Sequence, residues 1–302
     1  MNYVTRIISI DEKDKIISFY NDKQVENNGE YVVFAAKDNN TNIFIYESKK
    51  GFKVSFQGEN ALYEASIFFP DATINEKKEK VKTEFLDFSS QIGSDEVGTG
   101  DVFGPLVVTA CYFDESTLNN SDFKIDDSKK LTDEYILKVV PKIIKELTIS
   151  KFTLIPEKYN ALINKGYSMN AIKAILHNFA LLSLSKKVKY KNAYVDQFCE
   201  EPIYYNYLRN EENVLNNITF MTKGESRFPS IALASMISRY SFLMSIEELN
   251  NKYDFIFPLG AGKKVDEAID KFIEKYGFNK LNEVAKCNFK NIKEKEVLSL
   301  LD

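Results

Sequence analysis

The stretch of sequence that decides the fold runs from residue 93 to residue 105 and reads GSDEVGTGDVFGP. Two adjacent carboxylates, Asp95 and Glu96, are followed within four residues by two glycines. Apolar residues on both sides predict two strands within 92–113, joined by a glycine-rich turn. Glycine lets a backbone approach a ligand closely, and the amides of such a turn can donate to phosphate or hydroxyl oxygens. Alone, the stretch also fits a hairpin turn with incidental acidic residues.

The sequence after this stretch alternates between helical and strand patterns. Apolar residues at helical spacing predict helices at 135–145, 170–187 and 229–249. Short apolar runs predict strands at 192–196 and 218–222, the first of which ends at Asp196. Such alternation over roughly two hundred residues predicts a single α/β domain.

The sequence before this stretch predicts a small α+β unit. A weak helix at 11–20 precedes strand-like runs at 31–35, 42–47 and 52–56, and a helix follows at 60–69. The short spacing of the runs favours an antiparallel meander. Residues 71–91 have a highly charged centre with few apolar anchors, which indicates a linker. The predicted division is therefore a domain at 1–70, a linker at 71–91 and a second domain at 92–302.

Length and composition restrict the class of protein. The 302 residues suggest about two domains, and Cys111, Cys199 and Cys287 are scattered, as reduced thiols are in a cytosolic protein. Without a secretory leader or a long apolar run, we expect a cytoplasmic protein. The net charge of −4 and pI of about 5.4 exclude a surface coated in positive charge, but they permit a local basic track.

Four segments, in this order along the chain, resemble the motifs of type 2 ribonucleases H. They are residues 93–105, Asp127-Ser128-Lys129-Lys130-Leu131, Tyr194-Val195-Asp196-Gln197-Phe198, and Thr222-Lys223-Gly224-Glu225-Ser226 with the helix that follows. The Gly98-Thr99-Gly100 turn is similar to that of the ribonuclease HIII branch, because the HII branch usually carries a basic residue in its middle. Glu225 also agrees with HIII, since HII has an aspartate there.

This resemblance implies a fold and a site. The fold is a ribonuclease H-like catalytic domain, with a mixed sheet flanked by helices. The N-terminal unit is similar in layout to a TATA-box-binding-protein-like, substrate-binding domain. The implied catalytic and metal-binding residues are Asp95, Glu96, Asp196 and Glu225, with two Mg²⁺ or Mn²⁺ ions. The implied substrate contacts are Gly98, Thr99 and Gly100 at the 2′-hydroxyl and Ser128, Lys129 and Lys223 at phosphates, although a solvated position also explains either lysine.

The resemblance implies an endonuclease that hydrolyses the RNA strand of RNA–DNA hybrids by a two-metal mechanism, leaving 5′-phosphate and 3′-hydroxyl ends. It implies a monomer with no membrane and no obligatory protein partner. Three alternatives stay open: HII-like incision at single embedded ribonucleotides, a non-catalytic nucleic-acid-binding module, and a metal-dependent phosphatase. The only histidine, His177, is expected to be a partly buried helix residue, although a groove-facing position stays open. Asp101 is expected to be a structural turn residue.

Overall fold

The computed structural model describes residues 3–26, 29, 31–48, 51–74, 85–119 and 131–299. The chain forms two compact units, Met1–Lys82 and Thr83–Asp302. The predicted boundaries of the two domains and the linker stay predictions, since residues 75–84 lie outside the described residues. Asp87, which lies within the predicted linker 71–91, already belongs to the second unit, where it accepts hydrogen bonds from Tyr194 and Asn192. No helix in the described ranges combines the length and the apolar composition needed to cross a membrane.

The first unit is a four-stranded antiparallel sheet with two helices on one face. Its sheet order is β1-β4-β3-β2. Ser9 and Glu12 form a capping box that starts the first helix. Buried side chains of alternate strand residues, such as Val4, Ile43 and Val54, pack with those of the helices. The elements are β1 (Tyr3–Ile8), α1 (Ile10–Phe19), a 3₁₀ helix (Asn21–Lys23), β2 (Val32–Asp38), β3 (Thr41–Ser48), β4 (Gly51–Gly58) and α2 (Ala61–Ser66).

The second unit is a five-stranded mixed sheet between helices, so the predicted fold class is confirmed. The strands are β5 (Gln91–Val97), β6 (Leu106–Phe113), β7 (Ile149–Leu154), β8 (Asn192–Asp196) and β9 (Ile218–Met221). The sheet order is β7-β6-β5-β8-β9. β5 is antiparallel to β6 and parallel to β8, and β8 is parallel to β9. The helices are α3 (Glu115–Asn119), α4 (Asp133–Ile143), α5 (Pro156–Asn164), α6 (Met169–Ser185), α7 (Glu201–Tyr207), α8 (Pro229–Tyr253), α9 (Lys263–Tyr276), α10 (Leu281–Val284) and α11 (Lys290–Ser299), with 3₁₀ helices at Gly224–Ser226 and Phe278–Lys280.

Helices α6 and α8 cover opposite faces of this sheet. Successive side chains of a strand point to opposite faces. Val108 and Ala110 of β6 accordingly pack in the cluster that contains α6, whereas Val107 and Cys111 pack in clusters that contain α8. Gly93 brings α8 close to β5, because a Cβ there would lie 2.3 Å from Oγ of Ser230. Both faces of the sheet are therefore buried.

The parallel strands place the acidic motifs at one edge of the sheet. Ser94 of β5 is paired with Val195 of β8, so Asp95 and Asp196 are the next residues along the two strands. Asp196 is in turn paired with Met221, the last residue of β9. Carboxyl ends of parallel strands are where sites form in open α/β sheets. This register explains how residues about a hundred positions apart in the chain reach the same place.

Residues 102–104 are held by residues 284–286, a contact that we call the clasp. The Gly104 amide donates to the carbonyl oxygen of Val284 at 2.9 Å, and the Lys286 amide donates to that of Val102 at 2.8 Å. The Lys286 ammonium, fully buried, donates to the Gly104 carbonyl oxygen at 2.6 Å. Burial lowers the pKa of Lys286 to about 7. The clasp fixes the backbone directly after the glycine-rich turn.

Candidate active site

Asp95 lies at the end of β5, on the side that faces α8. Its Oδ1 accepts a hydrogen bond from the Glu96 amide at 2.7 Å, and its side chain also accepts one from Ser235 of α8. The residue is 5% exposed. Burial, and then the negative charges of Glu96 and Asp196, raise the pKa of Asp95 well above its usual value. The raised pKa of Asp95 therefore indicates that negative charge is concentrated at this end of β5.

Glu96 points to the other side of β5, towards α6. Lys173 Nζ lies 2.6 Å from its Oε1, and His177 Nε2 lies 2.9 Å from its Oε2. Burial raises the pKa of Glu96, but the hydrogen bond from His177 and the charge of Lys173 outweigh it and bring that pKa down to about 2. Glu96 is therefore ionised and held by two donors.

The third and fourth carboxylates lie at the ends of β8 and β9. Oδ1 of Asp196 accepts a hydrogen bond from the Gly224 amide at 2.8 Å, which ties the end of β8 to the turn after β9. Glu225 follows in the 3₁₀ helix Gly224–Ser226 and is 1% exposed. Asp196 contributes to the cavity wall with Asp95 and Glu96, whereas Glu225 is buried and is not a wall residue.

A cavity of about 480 Å³ opens at this strand edge. Its wall includes an ion pair between Arg239 of α8 and Asp133 of α4, with Arg239 Nε and Nη2 at 2.9 and 2.8 Å from the two carboxylate oxygens. The wall consists of Asp95, Glu96, Val97, Gly98, Thr99, Gly100, Asp101, Leu131, Asp133, Asp196, Ser235 and Arg239. The cavity therefore brings together three of the four predicted carboxylates and the whole glycine turn.

The conformation of the glycine turn depends on Gly98. Its φ is +103°, and a Cβ on it would lie 2.2 Å from the carbonyl oxygen of Pro105. Gly100 is exposed, and a Cβ there would meet nothing within 4 Å. Oδ1 of Asp101 accepts a hydrogen bond from the Gly260 amide at 2.6 Å, a bond of the kind expected for a structural turn residue. Gly98 is thus required by the backbone, whereas Gly100 leaves space on the cavity side.

The predicted phosphate contacts are only partly described. Ser128 and Lys129 lie outside the described residues. Lys223 is exposed, has a left-handed backbone with φ of +57°, and immediately precedes Gly224. It is close in sequence to the site without being part of the cavity wall.

Sequence reasoning missed four residues of this region: Lys173, His177 as a site residue, Asp133 and Arg239. His177 was expected to be a partly buried helix residue, but it is fully buried and hydrogen-bonded to Glu96. A signal was present, because Lys173 and His177 stand four residues apart in a helix that has no other charged or titratable residue. That spacing places both side chains on one helix face.

The side chains of the cavity suit a divalent cation. They offer carboxylate oxygens, the ligands that Mg²⁺ and Mn²⁺ prefer, and the raised pKa of Asp95 marks negative charge that a cation would offset. Within the part of the chain that the structure describes, no group of three or more His, Cys, Asp or Glu side chains is already arranged to hold a metal ion.

Comparisons with known proteins find matches to both units of the chain. Residues 92–292 match the family model described as Ribonuclease HII, and residues 6–81 match a domain of unknown function, DUF3378. Ribonuclease HIII of Phytoplasma mali is 42% identical over 277 residues, which cover 91% of this chain and 90% of the relative. Ribonuclease HIII of Bacillus subtilis is 38% identical over 280 residues, 88% of either chain.

Solved structures give the same result. The crystal structure of Bst-RNase HIII in complex with Mn²⁺ has a TM-score of 0.68 and 30% identity, and the match covers 99% of this chain and 100% of that chain. The ribonuclease H2 structure from Pyrococcus horikoshii, at 23% identity and a TM-score of 0.60, shares the fold over 70% of this chain. The resemblance seen in the motifs is confirmed, and the chain belongs to the ribonuclease HIII family.

Proposed function

We propose that this chain is an endonuclease that hydrolyses the RNA strand of RNA–DNA hybrids and leaves 5′-phosphate and 3′-hydroxyl ends. The observation that carries the proposal is the cavity in which Asp95, Glu96 and Asp196 adjoin the Gly98–Gly100 turn. Membership of the ribonuclease HIII family supports it. Acidic ligands for a cation and a turn that can read a hydroxyl are the two requirements of a nuclease that distinguishes RNA from DNA.

The proposed cofactor is a pair of divalent cations, Mg²⁺ or Mn²⁺, held by Asp95, Glu96, Asp196 and Glu225. The relative solved in complex with Mn²⁺ supports this choice of ion. When bound, two such ions activate a water molecule and stabilise the leaving oxygen of a phosphodiester. Asp95 and Glu96 are rigidly placed by the ladder of β5, and the hydrogen bond between Asp196 and Gly224 orients the third carboxylate.

RNA is recognised, in this proposal, by the turn formed by Gly98, Thr99 and Gly100. All three residues line the cavity, so their amides and the threonine hydroxyl are candidates to bond a 2′-hydroxyl there. Arg239 lines the same wall in an ion pair with both oxygens of Asp133, and the N–H donors of its guanidinium that this pair does not use suit a phosphate. Lys223 adds an exposed charge nearby in sequence, and the roles of Ser128 and Lys129 stay predictions.

The first unit is proposed to bind the hybrid through the sheet face opposite its helices. That face carries Lys53, Gln57, Phe44 and Tyr46, which are exposed or half-buried. A flat face with cationic, amide and aromatic groups suits a nucleic-acid backbone, and the binding should weaken with salt. The monomeric state and the cytoplasmic location stay predictions.

Incubation with Mg²⁺ or Mn²⁺ and end-labelled substrates tests the function. We expect cuts within runs of ribonucleotides in the hybrid and poor incision at a single ribonucleotide in duplex DNA. Duplex DNA should be cut at least about 10⁴-fold more slowly, because a site built to bond a hydroxyl rejects a substrate that lacks it. Efficient incision beside a lone ribonucleotide would favour an HII-like activity. Binding without cutting would favour a non-catalytic module, and turnover of small phosphate esters alone would favour a phosphatase.

A truncated chain, 83–302, tests the role of the first unit. We expect the Kd for a hybrid to rise by about tenfold or more, roughly 1.4 kcal/mol, while the turnover number at saturation changes little. The truncated chain should begin at residue 83, because Phe85 packs in the core of the second unit and the Leu86 amide donates to the carbonyl oxygen of Arg227. Titration of a labelled hybrid by fluorescence anisotropy measures the Kd. An unchanged Kd would limit the first unit to a structural role.

A further inference from the structure

A chain of hydrogen bonds leads from the core of the second unit to Glu96. Ser94 Oγ lies 2.7 Å from His177 Nδ1, and His177 Nε2 lies 2.9 Å from Oε2 of Glu96. Ser94 and His177 are both fully buried, whereas the Glu96 side chain is 11% exposed at the cavity wall. The chain therefore begins in the interior and ends on a carboxylate that faces the cavity.

The direction of the hydrogen bond between His177 and Glu96 follows from the charge of Glu96. An ionised carboxylate only accepts, so Nε2 of His177 carries the proton and donates to Oε2. Nδ1, on the other side of the ring, is hydrogen-bonded to the Ser94 hydroxyl. A backbone-anchored serine thus fixes the ring, and the ring fixes one oxygen of Glu96. Lys173 fixes the other oxygen, at 2.6 Å from Oε1.

Phe198 closes this arrangement from the side of β8. Its ring stacks on His177 with centroids 5.2 Å apart and an interplanar angle of 27°. The Lys173 ammonium lies 3.9 Å from the centre of the same ring. Phe198 follows Asp196, the last residue of β8, by two residues, so the segment directly after the third carboxylate packs on Lys173 and His177, which hold the second.

We propose that His177, held by Ser94, is a positioning residue that sets the Glu96 carboxylate for binding of a divalent cation. A carboxylate oxygen has more than one lone-pair site, so a bond to His177 leaves Oε2 able to bind an ion. Outer partners of metal-binding side chains commonly fix their orientation in this way. The inference rests on the proposed function, in which Glu96 is a metal ligand.

Isothermal titration of the full chain with Mn²⁺ tests the inference without relying on activity. His177→Leu places an apolar side chain in the buried space and removes the hydrogen-bond donor. It should weaken Mn²⁺ binding by about 10–100-fold. His177→Gln should recover most of the affinity, because its amide nitrogen can donate near the position of Nε2. Glu96→Gln should also weaken binding, and adding His177→Leu to it should cause no further loss, since the two residues act through one contact.

Asn178→Ala is the matched control on the same helix. Asn178 is a fully buried polar neighbour that bonds the carbonyl of Asn213 and the amide of Leu215, away from Glu96. This variant should melt at a lower temperature but keep the Mn²⁺ affinity within about twofold. If His177→Leu does not fold, Ser94→Ala replaces it, because loss of the hydroxyl frees the ring and should weaken binding severalfold.

Two results would overturn the inference. If Glu96→Gln weakens Mn²⁺ binding but His177→Leu, or Ser94→Ala in its place, binds as the wild type does, His177 has no positioning role and the proposed function stands. If Glu96→Gln itself binds Mn²⁺ as the wild type does, Glu96 is not a ligand, and this part of the proposed function fails with the inference. Weakening by both single variants, rescue by glutamine and no added loss in the double variant would support it.

Discussion

Asp95→Asn is expected to reduce hybrid turnover by about 10³-fold or more, roughly 4 kcal/mol of transition-state stabilisation, and to leave hybrid affinity nearly unchanged. The same variant should melt at a higher temperature in the absence of metal. The reason is the raised pKa of Asp95, which shows that burial and two neighbouring negative charges disfavour its ionised form. Relief of about 1 kcal/mol of this cost would raise the melting midpoint by about 2–4 °C.

Single-turnover cleavage, anisotropy titration and calorimetry measure these three quantities. Asp87→Asn is the matched control, because Asp87 is outside the cavity and its pKa is shifted in the opposite direction. Burial raises the pKa of Asp87, but hydrogen bonds from Tyr194, Ser89 and Asn192 outweigh it and bring that pKa to about 2. The ionised form therefore stabilises the fold above the usual pKa of 3.8, so this variant should melt earlier and cut normally at neutral pH. Wild-type turnover in Asp95→Asn would remove Asp95 from the mechanism.

Gly98→Ala is expected to lower the catalytic efficiency on the hybrid by about 10²-fold and to destabilise the second unit by about 2–4 kcal/mol. An alanine at φ of +103° is strained, and its Cβ would lie 2.2 Å from the backbone oxygen of Pro105. Because the obstacle is backbone, the turn itself must shift. The turn residues would then be displaced from the carboxylates, and displacements of about 1 Å can reduce rates to this extent.

Gly100→Ala separates backbone strain from substrate contact. A methyl group at Gly100 meets open space, so this variant should keep the melting temperature of the wild type. Any loss of activity in it would then come from the methyl group against the substrate. Equal melting temperatures for the two alanine variants would contradict the proposed constraint at Gly98. Thermal unfolding and cleavage rates of both variants, measured together, decide the point.

The sequence predicted the elements with strong periodicity. The helices predicted at 170–187 and 229–249 correspond to α6 and α8, and the strand predicted at 192–196 coincides with β8. β1 was missed, because its sequence, YVTRII, shows no clean alternation of apolar and polar residues. It is a strand because it pairs with β4, and a pairing between segments about fifty residues apart leaves no local signal.

The site residues that belong to sequence motifs could be predicted, whereas those that reach the site only through packing could not. Asp95, Glu96 and Asp196 were named from motifs and line one cavity. Lys173 and His177 lie on a helix whose apolar face dominates its pattern, and their role depends on the register that turns Glu96 towards α6. Such a register is a property of the assembled sheet, since shifting it by one residue would reverse every side chain.

The clasp has a consequence for the time during which a ribosome is still making this protein. Lys286 follows Gly104 by 182 residues, and a growing chain emerges from its N-terminus onwards. Until residues 284–286 have been added, the backbone beside the catalytic turn lacks the three hydrogen bonds that hold it. While the incomplete chain is still bound to the ribosome and its messenger RNA, the catalytic turn is therefore not yet held in the conformation of the finished enzyme.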